Sequence, residues 1–485
     1  MVQDNKISNN LVYQLVNTEI KEGDDVTARI EEKKDDEIDS GPKFGKRHVQ
    51  VIFLFTLLLI GYCIRVNLSL TIVAMTDPNA NENKDIPTFD WKNRNVILSA
   101  FFWGYVTPQI LAGWLMTRYG PKWFLVGSMA IGAILGYAIP LLATYYGSTA
   151  VIICRVIQGA SQGFFVPGIS CFTSRWIPIA ERGRLGTFMY AASPMGSVVS
   201  MMLSGAISAS SYGWPMVFHF FSTLGIVWCV LYLFCGSNSP SENKSITEVE
   251  KNYILRTSVD VNKKPLPTPW RHILTSIHFY ALIYTYTCNV LGLWLLLTQI
   301  PTYMSKIMKF DIKSNGTLTA SIYLSQWLLS IILGSVSDYV INRKILSLTL
   351  TRKLVSGVGT FGPAISLVFL AQCTEENTVK GVILLFLAVG TGGAQICSIL
   401  INSVDLSPNH AGVLQGIVNA FSHVFAIFAP LIAEFLVSDE YNPAQWQIVF
   451  YFGSCVYLSG GIIFSVFGSG KVQPWNDLYN SNVAA

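Results

Sequence analysis

Long apolar stretches separated by short polar breaks run along most of this 485-residue chain. Each stretch is close to the roughly twenty residues that an α-helix needs to cross a bilayer. The pattern predicts twelve membrane-spanning helices. The first six lie near residues 49–75, 95–116, 122–143, 149–174, 186–208 and 215–235, and the other six near 276–303, 315–337, 352–371, 379–402, 412–436 and 446–468.

Polar segments divide the twelve predicted spans into two groups of six. The segment before the first span has mixed charge, which is typical of a disordered tail and not of a signal peptide. The segment between the groups contains serines, lysines and prolines, which is typical of a linker with a short surface helix. The sequence therefore predicts an all-α membrane protein with two pseudo-symmetric halves. Its parts are an N-terminal tail (1–48), an N-terminal bundle (49–235), a linker (236–271), a C-terminal bundle (272–468) and a C-terminal tail (469–485).

The composition fits a membrane protein and argues against several function classes. Charged residues make up 13% of the chain and hydrophobic residues 51%, whereas soluble domains carry about 25% charged residues. A net charge of +4 is too small and too spread out to favour nucleic acid as a partner. The nine cysteines form no disulfide or metal-ligand pattern. No catalytic triad or phosphate-binding glycine loop is present, so we expect neither an enzyme nor a bound cofactor.

Basic residues concentrate in the loops on one side of the predicted bundle. Arg118, Arg182 and Arg343 follow the second, fourth and eighth spans. Positively charged short loops remain in the cytosol, and the number of spans is even. We therefore expect both tails and the linker to be cytosolic. The expected protein is a monomer surrounded by lipid, in the plasma membrane or in a lysosomal or vesicular membrane.

Arg65 lies inside the first predicted span, about 15 Å from its far end at helical rise. That is too deep for its guanidinium to reach the headgroups comfortably, and a charge at this depth costs at least about 2.5–3.5 kcal/mol. Two interpretations follow: a fixed internal ion pair, or an anchor for an anionic substrate. The neighbouring spans offer no obvious carboxylate, which favours the anchor.

The fourth predicted span carries a polar stripe. Arg155, Gln158 and Gln162 share one helical face because their spacing is i, i+3 and i+7. The stripe either lines a polar cavity or hydrogen-bonds neighbouring helices, with Arg155 close enough to the outer end to snorkel. We interpret Gln162 as cavity-lining, and leave Arg155 open between packing and transport. Gly159 and Gly163 predict a close helix contact, which suits either tight packing or a gating motion.

Further polar candidates within the spans are few. Trp103 and Tyr105 belong to an aromatic run in the second span. We expect core packing for Trp103, whereas the phenolic hydroxyl of Tyr105 needs a polar partner or the cavity. The ionisable side chains Glu434, His219 and His423 also fall inside spans. Such histidines are more often packing residues than functional ones.

The two halves repeat a loop motif at matching places. After the second span the motif supplies Gly113, Arg118, Gly120 and Lys122. A six-plus-six array with this motif resembles the major facilitator superfamily, whose loop signature is G-x-x-x-D-R-x-G-R/K-K/R. Thr117 stands where that signature has an acid, while Asp338 retains the acid after the eighth span. The resemblance implies an inter-helix contact by Asp338 and leaves the corresponding contact of the first half in doubt.

Several other stretches, taken in order and spacing, resemble one branch of that superfamily: the sodium/phosphate, sialin and vesicular glutamate transporter family of anion carriers. The resemblance covers about residues 41–475. It rests on the stretches 65–75, 101–105, 155–159, 176–185, 301–304, 310–316, 446–450 and 467–475.

The candidate substrate-binding residues of this sequence are Arg65, Tyr105, Gln162 and Asn289. In that family the first-span arginine contacts the substrate anion. A fourth-span glutamate is linked to proton coupling, but Gln162 stands there and cannot take up a proton, which excludes carboxylate-based coupling at this position. The vesicular glutamate branch carries a second-span histidine and a seventh-span arginine. Leu98 and Asn289 occupy those places, which counts against that branch.

The function that the sequence predicts is secondary active transport of small anions, either inorganic phosphate or organic carboxylates, by alternating access. Coupling to Na⁺, coupling to H⁺ through another group, and uniport or exchange all remain open. Two alternatives are a non-transporting receptor or sensor on the same scaffold and a proton-coupled exporter of acidic sugars or amino acids of the sialin type.

Overall fold

The computed structural model describes residues 42–76, 86–91, 93–208, 210–256, 266–308, 312–373, 377–439 and 441–478. These residues form α-helices and short 3-10 turns, with no β-strand among them. The first half contains α1 (Lys46–Thr76), α2 (Arg94–Val106), α3 (Gln109–Tyr119), α4 (Lys122–Gln162), α5 (Phe165–Trp176), α6 (Arg182–Ser208) and α7 (Gly213–Cys235).

The linker between the halves contains α8 (Glu248–Leu255) and the short α9 (Trp270–Ile273). The second half contains α10 (Ile277–Lys306), α11 (Ile312–Asn342), α12 (Leu348–Leu370), α13 (Thr378–Gly392), α14 (Ala394–Leu406), α15 (Ala411–Ala426), α16 (Ala429–Leu436) and α17 (Pro443–Phe467). Each half buries its own apolar clusters.

Eight helical stretches in the described part are long and apolar enough to cross a membrane, and α2 with α3, bent by 42°, forms a ninth. One of the eight combines α4 and α5, but its backbone reverses at Gly147, where φ is 69°. The Gln158 amide donates to the Gly132 carbonyl at 3.0 Å across 26 residues, a separation of about 39 Å along a straight helix. This stretch is therefore two antiparallel spans.

The remaining two spans are α6 and the pair α15–α16. Helix α6 is less apolar because it directs polar side chains into the protein, where Ser200 and Ser204 are fully buried. The pair α15–α16 is apolar but is divided into helices of 16 and 8 residues, and α15 buries Gln415 and Asn419. With them the helices make up the twelve spans of the predicted fold. The observed bounds differ from the predicted ones by a few residues, as expected for helix ends.

Helix α1 begins within the segment that the sequence assigned to the N-terminal tail. It starts at Lys46, and Arg47 is only 1% exposed. The helix thus starts three residues before the predicted boundary at residue 49, because the polar composition of these residues hides a buried ion-pair partner. Residues 1–41 lie outside the described part of the chain.

The linker helix α8 caps the start of α1. One Glu250 carboxylate accepts hydrogen bonds from the backbone N–H groups of Lys46 at 2.9 Å and Arg47 at 3.0 Å. It also pairs with the Arg47 guanidinium at 3.1 Å, and Glu181 pairs with the other edge of that guanidinium at 2.7 Å. A carboxylate at a helix N-terminus satisfies free N–H groups and complements the helix dipole. The predicted surface helix is therefore docked on the first half, and we refer to this arrangement as the linker clamp.

The segment after α17 packs on the turn between α14 and α15. Asn402 donates to the Ser469 carbonyl at 2.8 Å, and the backbone N–H of Gln473 donates to the Leu406 carbonyl at 2.9 Å. Trp475 is 6% exposed. The described part of the predicted C-terminal tail, residues 469–478, is thus part of the folded second half.

Glycines bring α4 against α2. A Cβ atom on Gly159 would collide with the backbone carbonyl of Phe101, and one on Gly163 would come within 2.7 Å of the Tyr105 carbonyl. The predicted close helix contact is present, and it holds α2 at the depth of Arg65.

The Gly159→Ala substitution is expected to destabilise the protein by about 1–3 kcal/mol, since backbone atoms cannot yield as a flexible side chain would. The measurement is the thermal unfolding midpoint in detergent. Gly127→Ala is the matched control because nothing lies within 4 Å of the point that its Cβ atom would occupy, and it should leave the midpoint unchanged or raise it. Equal midpoints for the two variants would contradict the packing argument.

Candidate functional site

The Arg65 guanidinium lies in a cage of aromatic rings. Its central carbon is 4.7 Å from the ring centroid of Tyr105, 4.8 Å from those of Phe101 and Phe102, and 5.3 Å from that of Tyr62. The residue is 6% exposed. Aromatic faces attract a cation through the ring quadrupole, by about 0.5–2 kcal/mol per contact. The cage holds the charge in place without neutralising it.

Arg65 forms no salt bridge with any described residue. One of its terminal nitrogens, Nη2, is buried without a hydrogen-bond acceptor. Burial of an unpaired charge is costly, and such groups are normally paired or bind a ligand. The fixed internal ion pair, one of the two interpretations from the sequence, is therefore absent from the described part of the chain. A vacant donor on a buried cation is suited to bind an anion.

Arg155 adds a second buried positive charge beside the first. Its Nη2 donates to the carbonyl of Arg65 at 2.7 Å, and its Nη1 donates to the carbonyl of Ile64 at 3.3 Å and to Gln158 at 3.1 Å. Its guanidinium carbon is 4.9 Å from the Phe101 centroid. The side chain therefore points to the depth of Arg65 and does not snorkel. These bonds give it a packing role, and the question of a transport role stays open.

Gln162 is 3% exposed and donates to the Gly61 carbonyl of α1 at 3.1 Å. This bond corresponds to the alternative in which the stripe on the fourth span ties helices together. Cavity lining by Gln162 remains a prediction. Gln158 likewise joins the two arms of α4 through Gly132.

A hydrogen-bonded cluster joins the two halves at the centre of the protein. Asn419 on α15 donates to the Tyr105 hydroxyl at 3.0 Å and to the Gln109 side-chain oxygen at 2.7 Å. Its own side-chain oxygen accepts from the Tyr286 hydroxyl on α10 at 3.2 Å. Tyr105 thus finds the polar partner expected from the sequence, and that partner lies in the other half. We call Tyr105, Gln109, Tyr286 and Asn419 the central cluster.

His423 packs against the central cluster. Its ring lies edge-on to that of Tyr105, with 5.1 Å between centroids, and its Nδ1 lies 2.9 Å from the Asn419 carbonyl. It is 7% exposed. The sequence did not single out Asn419, Gln109 or Tyr286 among the polar residues of the spans. The available signal was spacing, since Asn419 and His423 are i and i+4 on one helix.

Asn289 on α10 is 9% exposed, and its side chain forms no hydrogen bond within the described ranges. Its neighbour Thr287 contacts Ser422 at 3.0 Å. No contact brings Asn289 to Arg65, so its predicted role in substrate binding remains a prediction. The side chain of Glu434, another candidate from the sequence, lies outside the described residues.

The end of the bundle that holds the loops after α3, α5 and α11, here called the basic end, is closed by contacts between the halves. Asp338 accepts from the backbone N–H groups of Gly183 at 2.8 Å and Arg184 at 2.6 Å, which start α6. The inter-helix contact implied for Asp338 is present. Thr117 instead donates to the Gly113 carbonyl within its own helix at 2.8 Å. The loop signature thus bonds across the halves through Asp338 and not through Thr117.

The other signature residues shape the same end. Gly113 and Gly412 bring the backbones of the two halves together, and Gly120 has a φ of 89°, which favours glycine. Lys122 bonds to the Leu233 carbonyl at 2.9 Å through its ammonium group. Arg118 is exposed and lies over the ring of Trp114.

A buried ion triad also crosses the basic end. Asp405 on α14 pairs with Arg182 of the first half at 3.2 Å and with Arg352 of the second half at 2.7 Å. All three side chains are at most 2% exposed. Sequence reasoning missed Asp405, although a lone carboxylate at the end of an apolar span is a usable signal. No group of three His, Cys, Asp or Glu side chains suited to a metal ion occurs in the described part of the chain.

Comparisons with known proteins agree with this architecture. Residues 54–424 match the family model described as Major Facilitator Superfamily. The fold is similar to that of the proton:xylose symporter XylE bound to 6-bromo-6-deoxy-D-glucose, with a TM-score of 0.68 and 15% identity over 90% of this chain and 100% of that one. It is also similar to the transporter FucP in the outward conformation, with a TM-score of 0.61 and 13% identity over 86% of this chain and 99% of that one.

Curated relatives are more similar in sequence. A protein of Drosophila melanogaster named "Putative inorganic phosphate cotransporter" is 34% identical over 90% of this chain and 87% of its own length. Human sialin is 31% identical over 88% and 90%, and human vesicular glutamate transporter 2 is 31% identical over 86% and 74%. The chain therefore belongs to the major facilitator superfamily and, within it, to the sodium/phosphate, sialin and vesicular glutamate transporter family, whose members are multi-pass membrane transporters of anions and not enzymes.

Proposed function

We propose that this protein is a secondary transporter that carries one small anion at a time across its membrane, with Arg65 as the anion anchor. The observation that carries the proposal is a buried guanidinium with a vacant donor and no carboxylate partner among the described residues. A guanidinium binds phosphate and carboxylate groups through two parallel hydrogen bonds. Arg155 adds positive charge on the same Phe101 ring. The relatives named for phosphate, sialic acid and glutamate support an anion as the substrate.

We infer an alternating-access cycle from the contacts between the halves. Asp338 and the ion triad close the basic end, and the central cluster joins the halves beside Arg65. Opening the basic end requires these bonds to break, and the site is then reached from that side. Transport needs such bistable contacts, because packed interfaces switch between discrete arrangements.

The test is uptake into proteoliposomes of four radiolabelled anions: inorganic phosphate, urate, sialic acid and glutamate. Each is measured with a Na⁺ gradient, with a proton gradient and with neither. We expect saturable uptake of at least one of them above empty vesicles. Specific binding of an anion without uptake under any condition would favour a receptor on the same scaffold. Absence of both binding and uptake for all four would refute the proposal.

In the proposed orientation both termini and the linker lie in the cytosol. The protein itself lies in the plasma membrane or in a lysosomal or vesicular membrane. Epitope tags at either terminus or in the 236–271 linker should be accessible only after permeabilisation of the cell or vesicle membrane. A tag in the 209–214 loop at the opposite end serves as the control. Labelling of the linker in intact cells that carry the protein at the surface would overturn the orientation.

A further inference from the structure

We propose that His423 carries the proton that Gln162 cannot carry, so that anion binding at Arg65 and protonation of His423 occur together. This inference rests on the proposed function and adds a coupling residue to it. Of the six histidines of this chain, His423 is the one that packs against Tyr105 of the central cluster. The other five are residues 48, 219, 272, 278 and 410.

The first argument is the tautomer. The Nδ1 atom of His423 faces the Asn419 carbonyl at 2.9 Å, and a carbonyl oxygen can only accept. Nδ1 must therefore hold a hydrogen, which leaves Nε2 as the basic atom of the neutral ring. Nε2 forms no hydrogen bond with a described residue and is not among the buried polar atoms that lack a partner. A proton acceptor is thus presented at the centre of the protein.

The second argument is the set of charges around that atom. Arg65 on α1 and His423 on α15 lie on the same Tyr105 ring, at 4.7 and 5.1 Å from its centroid. The other ionisable groups around them are Arg155 on α4 and four phenols, namely Tyr62 on α1, Tyr105 on α2, Tyr190 on α6 and Tyr286 on α10. None of the described carboxylates contacts these groups.

These charges make the two binding events cooperative. An imidazolium beside two uncompensated guanidiniums is repelled in a medium of low dielectric constant. An anion held by Arg65 removes this repulsion and gives the new Nε2–H an acceptor. Nε2 takes its proton from water on the side from which the anion enters, and releases it to water when the anion leaves on the other side. Anion and proton then cross together.

The third argument is that the protonation state of His423 affects the contacts between the halves. It shares the carbonyl of Asn419, and Asn419 holds Tyr105 and Gln109 of the first half. A change in the charge of the imidazole therefore acts on the residue that joins the halves. Such a link is what coupling requires, because the protonated and unprotonated proteins must differ in how easily they switch.

The experiment compares the parent protein, His423→Gln and His219→Gln in proteoliposomes, using whichever of the four anions the parent carries. His219 is the matched control, because its ring packs on Tyr137 between α4 and α7 and away from the cluster. We expect accumulation driven by a proton gradient to fall by about tenfold or more in His423→Gln, relative to anion exchange at equal pH in the same variant, because the glutamine amide can still donate to the anion but cannot carry a proton. His219→Gln should retain both activities.

A second measurement does not depend on variants. When the carried anion is added to the detergent-solubilised parent in weak buffer, the protein should take up about one proton per anion bound. The His423→Asn variant should take up none. Accumulation by His423→Gln equal to that of the parent would overturn the inference. Uptake by the parent that does not depend on the proton gradient would overturn it too. Loss of exchange as well in both His423 variants would also overturn it, because His423 would then be a packing residue. Failure of the parent to carry any of the four anions refutes the proposed function instead.

Discussion

Replacement of Arg65 by lysine is expected to lower anion uptake at sub-saturating concentration by about thirtyfold or more, with normal amounts of folded protein. Loss of one partner from a buried charged hydrogen-bond pair costs about 2 kcal/mol or more, and 1.4 kcal/mol corresponds to a factor of ten. A lysine ammonium keeps the positive charge but loses the planar fork that binds two oxygens. It also loses stacking in the cage of Tyr62, Phe101, Phe102 and Tyr105.

The measurement is initial uptake over a range of anion concentrations, together with size-exclusion profiles of the solubilised protein. Arg271→Lys is the matched control, since Arg271 is exposed in the linker helix α9. Unchanged anion affinity in Arg65→Lys would assign Arg65 to the packing of α1 and remove the central support of the proposed function. Loss of folded protein would instead indicate that the cage requires a guanidinium for stability.

Replacement of Asp405 by asparagine is expected to destabilise the protein by about 3–5 kcal/mol, the usual cost of breaking a buried ion pair from one side. The substitution removes the ion-pair partner of the buried Arg182 and Arg352, and Arg182 already has two nitrogens without an acceptor. Because total stabilities are of the order of 5–15 kcal/mol, the unfolding midpoint in detergent should fall by many degrees. Transport should fall with it, since the triad closes the basic end.

Asp90→Asn is the matched control because Asp90 is exposed in the loop before α2. Arg182→Gln should be milder than Asp405→Asn, because Asp405 then keeps one of its two arginine partners. A midpoint for Asp405→Asn equal to that of the control would show that the triad does not stabilise the protein. Normal stability with altered transport would restrict the triad to switching between states.

The positions of the spans were predictable because each span is an apolar run bounded by polar residues. The depth of Arg65 was predictable for the same reason, since counting residues along a helix gives distance. The central cluster was not, because Tyr105 and Asn419 are 314 residues apart and their meeting depends on how two six-helix halves pack. Arg47 was missed for a related reason: its partners Glu181 and Glu250 lie 134 and 203 residues away, and without them a charged residue resembles part of a tail.

The family resemblance added an expected substrate-binding role for Arg65, which the depth of this residue had already singled out. Gln162 shows the limit of such transfer. A glutamine at this position cannot take up or release a coupling proton. In the structure its amide donates a hydrogen bond to the Gly61 carbonyl. In our proposal His423 replaces the missing carboxylate, and its i, i+4 spacing from Asn419 does not by itself predict that it lies against the Tyr105 ring.

The linker clamp has a consequence for the order in which the protein is made. Helix α1 is synthesised first, yet the carboxylate that caps its first N–H groups belongs to Glu250, which leaves the ribosome about two hundred residues later. Until then, the buried Arg47 lacks one of its two carboxylate partners. The folding unit of the first half therefore ends after α8 at residue 255, and not at the end of its last span at residue 235. If this protein is expressed as two separate chains, the division should come after the linker clamp, between residues 256 and 266. The first fragment then contains Glu250, which caps its own α1.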